Sequence, residues 1–112
     1  MTDSEIRYTE HFKKEYKRLT KKHASLKTDM MVLVKILKKN PTSGTNLGSN
    51  TYKVRMAISS KSKGKSGGAR VITYFVDKDK IVYLLSIYDK SEEANITDRE
   101  IKNILKEVEH GS

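Results

Sequence analysis

"YKVRMAIS", residues 52–59, repeats with a period of two. Tyr52, Val54, Met56 and Ile58 fall on one side of an extended chain, and Lys53, Arg55 and Ala57 on the other. Such a segment is a strand with an oily face for a core and a cationic face turned away from it. The period upstream is different, and that change organises the chain. Phe12, Tyr16 and Leu19 are spaced as on a helix, with Thr9 placed to cap it and an end near Lys22. Leu26, Met30, Leu33, Val34 and Leu37 form a second helical stripe. Ser25 can open this helix, and Asn40-Pro41 closes it, because the residue before proline is pushed out of the α region. The two helices should form a hairpin with a common apolar side.

Outward from the strand, "TSGTNLGSN" (42–50) reads as a loop and "IRYT" (6–9) as a short first strand. "ARVITYFVD" (69–77) and "IVYLLSIY" (81–88) read as two further strands joined by a tight turn at Asp77–Lys80. The last is apolar on both faces, as a central strand is. Thr97 and Glu100 fit a capping box, and Ile101, Ile104, Leu105 and Val108 form the stripe of a closing helix. The expectation is an α+β protein, β-α-α-β-β-β-α. It has a small antiparallel twisted sheet packed on an N-terminal helical hairpin, a C-terminal helix on that same side, and Lys53 and Arg55 on the other sheet face. At 112 residues it is expected to be one domain, 1–112.

Charge is distributed unevenly. Residues 30–76 carry Lys35, Lys38, Lys39, Lys53, Arg55, Lys61, Lys63, Lys65 and Arg70 and no acid, while the rest of the chain balances 14 basic against 14 acidic residues. The net charge of +9 therefore sits in one segment, the mark of a protein that faces a polyanion. There is no cysteine, which excludes disulfides, thiolate metal sites and a cysteine nucleophile. No apolar run approaches the ~18 residues of a membrane span, and "MTDSEIRYTEHF" lacks the apolar stretch of a secretory signal. The expected location is the cytoplasm. His11, His23 and His110 are scattered without ligand spacing, so no metal site is expected.

"KSKGKSGGAR" (61–70) contains Gly64-Lys65-Ser66, the end of a phosphate-binding loop motif. The glycine this motif needs five residues earlier is Ser59, and a strand rather than a helix follows. Nucleotide binding is discarded. The segment reads as a mobile basic hairpin loop in which Lys61, Lys63 and Lys65 contact phosphates.

With "YKVRMA", "KGKSGGARVITY" and "VYLLSIYDKSE" in order, the chain resembles the RelE/ParE toxin superfamily of bacterial type II toxin–antitoxin systems, nearest its HigB/RelE-like branch. The resemblance runs from about Phe12 to Ile104 and is most specific from Leu47 to Glu92. It implies a metal-independent, cofactor-free ribonuclease that cuts mRNA in the ribosomal decoding site, against 16S rRNA. The 2′-hydroxyl attacks the adjacent phosphate to leave a 2′,3′-cyclic phosphate and a 5′-hydroxyl. It also implies a cognate antitoxin. The family's basic pair after the hairpin falls on Lys53 and Arg55, its next arginine on Arg70 and the cation after the last strand on Lys90. A tyrosine that some members carry a few residues later is missing, since Ile96 stands near that place; Tyr88 or Tyr74 could take its part.

These residue types suit that chemistry. Guanidinium groups grip two phosphate oxygens and stay charged, which assigns Arg55 and Arg70 to the phosphorane. A lysine acts as base once its proton has left, and neighbouring cations favour that loss; Lys53, two residues from Arg55, is the candidate. Lys90 is the candidate acid or anchor, and Tyr88 a candidate RNA contact. A gyrase inhibitor of ParE type and a non-catalytic nucleic-acid-binding module remain open as other uses of the fold.

Overall fold

The structure, a computed structural model, describes residues 3–61, 68–92 and 95–109, Glu109 by its backbone only. Strand β1 (Glu5–Tyr8) leads into helix α1 (Glu10–Lys22) and helix α2 (Leu26–Lys39). Strands β2 (Thr45–Gly48), β3 (Thr51–Met56), β4 (Ala69–Val76) and β5 (Ile81–Asp89) follow, and α3 (Asp98–Glu109) closes the fold. Thr9 caps α1 as its sequence position suggests, its Oγ1 accepting the Phe12 N–H at 3.0 Å. The same hydroxyl donates to the Leu85 carbonyl at 3.0 Å and so fastens the helix start to β5. Ser25 behaves differently. It precedes α2 without capping it, because its hydroxyl donates to Asp29 Oδ2 at 2.7 Å. The Thr97–Glu100 capping box is formed, with Glu100 N–H on Thr97 Oγ1 at 3.1 Å and Thr97 N–H on Glu100 Oε1 at 3.0 Å.

The α+β class and element order stand, with three differences. The sheet has five strands in the order β1-β5-β4-β3-β2 and is mixed, because β1 pairs parallel with β5. The 42–50 stretch holds β2, an exposed edge strand whose residues carry no alternating apolar signal. Gly44, at φ +99°, brings the chain so close to β3 that a Cβ there would lie 2.4 Å from the Lys53 carbonyl oxygen. Third, the helices do not share one side. Phe12, Leu19, Met30, Leu33 and Leu37 of the hairpin bury Val54, Met56, Ala69, Val71, Phe75, Leu84 and Ile87. Ile101 and Ile104 of α3, with Ile96, cover Ile72, Leu85 and Tyr88 on the opposite face. The sheet is a middle layer, which is why β4 and β5 are apolar on both faces.

One irregularity positions the functional face. The β4–β5 register shifts between Ile72 and Thr73, so Ile72 pairs with Ser86 but Thr73 with Leu84. The extra β5 residue rephases the strand. Val82 and Leu84 point to the hairpin, and so does Ile87, three residues on. Tyr88 is thereby turned to the α3 side, directly opposite Arg70.

Candidate nucleic-acid interface

Residues paired across adjacent strands share a sheet face. Arg55 of β3 pairs with Arg70 of β4, and Arg70 with Tyr88 of β5. The three side chains therefore form one row across the sheet. The next row runs Lys53–Ile72–Ser86. Lys53, Arg55, Arg70 and Tyr88, four of the residues singled out from sequence, are thus neighbours on the face that α3 only partly covers. Arg55 is exposed and Arg70 buried, its Nη1 donating to the Ala69 carbonyl at 3.3 Å. Like charges opposite each other on neighbouring strands destabilise a sheet. A phosphate between the two guanidinium groups reverses that sign.

Asn95 links the row to the turn before α3, and nothing in the sequence pattern singled it out. Its Oδ1 accepts from Lys53 Nζ at 3.3 Å, from Tyr88 OH at 3.3 Å and from the Ile96 N–H at 3.0 Å. One amide oxygen thereby holds an ammonium and a phenol at the same point. Its partners lie 42 and 7 residues away, beyond any local spacing. Tyr88 is only 3% exposed, so its hydroxyl rather than its ring face reaches the site. Ile96, where the family tyrosine was missed, is buried in the small core under α3.

Lys61 and Lys90 are both placed at the turn after β5. Lys61 Nζ sits 2.9 Å from Asp89 Oδ1 and donates to Ser91 Oγ at 3.3 Å. Lys63 and Lys65 fall outside the described residues. Lys90 follows β5 directly, and its N–H donates to the Gly68 carbonyl at 3.0 Å. Gly68 has φ +76°, and a Cβ there would approach the Met56 carbonyl oxygen to 2.8 Å.

Two buried carboxylates brace the surroundings. Burial pushes the Asp89 carboxyl upward, but hydrogen bonds from Lys61 and from the Ser91 side chain and backbone outweigh it and hold the group well below the usual carboxylate range. Asp29 shows the same balance: burial raises it, and hydrogen bonds from Ser59 and Ser25 bring it below its ordinary value. Glu92 pairs with Lys22 and with Arg18 of α1, so it serves the structure rather than a solvated tail. His23 lies against Asp89, and no group of three His, Asp or Glu residues able to hold a metal ion occurs among the described residues. No described helix is long and apolar enough to cross a membrane.

The family profile for "RelE toxin of RelE / RelB toxin-antitoxin system" matches residues 10–110. Among solved structures, the chain is similar to a double arginine-to-alanine mutant of the E. coli toxin RelE in the free state. That similarity has a TM-score of 0.62 at 18% identity and covers 93% of this chain and 96% of that one.

Proposed function

This chain belongs to the RelE toxin family of RelE/RelB toxin–antitoxin systems, and on that footing we propose that it is a ribosome-dependent endoribonuclease acting on mRNA. The observation that carries the reading is the cross-strand row of Arg55 and Arg70, flanked by Lys53 and Tyr88 on one sheet face. In the proposed reaction Lys53 is the base that takes the proton of a ribose 2′-hydroxyl, and the oxygen attacks the adjacent phosphorus. Arg55 and Arg70 carry the charge that develops on the phosphorane oxygens. Arg70 does so from a buried position, where a preorganised donor is worth more than in water. The bond from phosphorus to the 5′-oxygen breaks, Lys90 supplies the proton to that oxygen, and a 2′,3′-cyclic phosphate remains. Asn95 aims the Lys53 amine, and Tyr88 buttresses both. Lys63 and Lys65 add phosphate contacts.

The partner is an antitoxin of RelB type, as the family implies. For its seat we propose the outer side of α2. Met31, Val32 and Ile36, three large apolar residues there, stay exposed. Val32 and Ile36 line a groove of about 250 Å³ against Arg55, Met56 and Ala57. Arg55 brings a cation to it, which suits an amphipathic segment with acids beside its apolar stripe.

The test is cleavage of a translated message by purified protein with programmed ribosomes, alongside Arg70→Ala. Cuts within the translated region that the variant loses support the reading. Intact messages with inhibited gyrase point to a ParE-like activity instead, and binding without either effect to a nucleic-acid-binding module.

A further inference from the structure

Between β3 and β4 the chain is described as far as Lys61 and again from Gly68, and both of these points are fastened to the same turn after β5. At the first point Lys61 meets Asp89 Oδ1 at 2.9 Å and Ser91 Oγ at 3.3 Å. At the second the Lys90 N–H donates to the Gly68 carbonyl at 3.0 Å. Asp89 lies between these two fastenings and is 2% exposed. Its Oδ1 also accepts the Ser91 N–H at 2.9 Å and the Ser91 hydroxyl at 2.7 Å, and its Oδ2 lies 3.0 Å from His23 Nε2 at the end of α1. The chain just before Lys61 is braced in the same direction. Ser60 N–H donates to Ser25 Oγ at 2.8 Å, and Ser59 N–H to Asp29 Oδ2 at 3.0 Å. Nothing in the cleavage chemistry requires a carboxylate at position 89. A buried one, held by an ammonium, a serine and a histidine from three segments, has a mechanical use.

We propose that Asp89 is a positioning residue: its carboxylate clamps Lys61 and the turn bearing Lys90 to the end of α1, so that Lys90 meets the RNA from a fixed position. The catalytic consequence rests on the nuclease reading; the clamp itself does not. It is tested with Asp89→Asn, which keeps size and polarity but removes the charge. Hydrogen exchange at the Lys90 amide should quicken roughly tenfold in the folded variant as the turn loosens. Single-turnover cleavage on programmed ribosomes should slow roughly tenfold, with ribosome affinity nearly unchanged. In a Lys90→Ala background the same substitution should add less than about a twofold loss, because its effect passes through Lys90. Unchanged Lys90 exchange overturns the clamp. A tenfold loss that persists without the Lys90 side chain overturns the route through it. If wild-type protein leaves translated messages intact, the nuclease reading falls and the exchange result alone decides the clamp. Should Asp89→Asn not fold, the pair Asp89→Asn with Lys61→Met removes both charges together, and faster Lys90 exchange is expected there too.

Discussion

Arg55 and Arg70 face each other across two strands, an arrangement that a bound anion relieves. Arg70→Ala should lower cleavage by about 10²–10³, equivalent to roughly 2.7–4 kcal/mol of barrier, as loss of one preorganised donor does. The single-turnover rate checks it. Arg70→Lys should recover only part of that loss, since an ammonium lacks the planar fork. Asn95→Ala should slow cleavage about tenfold with little change in stability, a loss the size of one hydrogen bond to a charged group. Acid should weaken the fold. Asp29 and Asp89 both have folded-state values below their unfolded ones. The stability they contribute is complete above the unfolded value of about 3.9 and is lost as pH falls through the folded values. Urea unfolding from pH 7 to 3 should show that decline, and Asp89→Asn should flatten it. The cations on the strands were legible because residue type and a period of two suffice to place them. Asn95 and the Lys61–Asp89 pair were not, because each contact joins residues far apart in the chain.

The elements themselves were largely legible, since each carries its own period and punctuation. Thr9 is an example: its hydroxyl caps α1, and it also holds β5. Thr9→Ala should cost about 1–2 kcal/mol of unfolding free energy, measured by denaturant titration. What period alone could not reveal is the bulge in β5. Strict alternation from Val82 and Leu84 would send Tyr88 toward the hairpin; one extra residue sends it to the cationic face. The side that α3 takes was equally hidden, because an amphipathic helix fits any apolar surface and β5 offers one on each face. Among the described residues, the stripe of Met31, Val32 and Ile36 on α2 stays exposed. Met31→Asp should weaken antitoxin binding at least tenfold, about 1.4 kcal/mol, while leaving ribosome-dependent cleavage unchanged. Titration calorimetry with the antitoxin measures it.

At the scale of the molecule, the charge of +9 is carried by the half of the chain that includes β3, the basic loop and β4. Ribosome affinity should therefore fall steeply with salt. Lys63→Ala and Lys65→Ala should each reduce the slope of log affinity against log salt by about 0.7–0.9, the counterions released per phosphate contact. The parallel pairing of β1 with β5 joins Glu5 to Ile81 and Tyr8 to Leu84, residues about 76 apart in the chain. A ribosome adding about 5–20 residues per second needs roughly 4–15 s to make the intervening chain. Throughout that interval β4 lacks the neighbour that brings Tyr88 to Arg70, and α1 lacks the carbonyl that Thr9 holds. On the proposed nuclease reading, the unfinished chain thus lacks the assembled row that would act on the machine synthesising it.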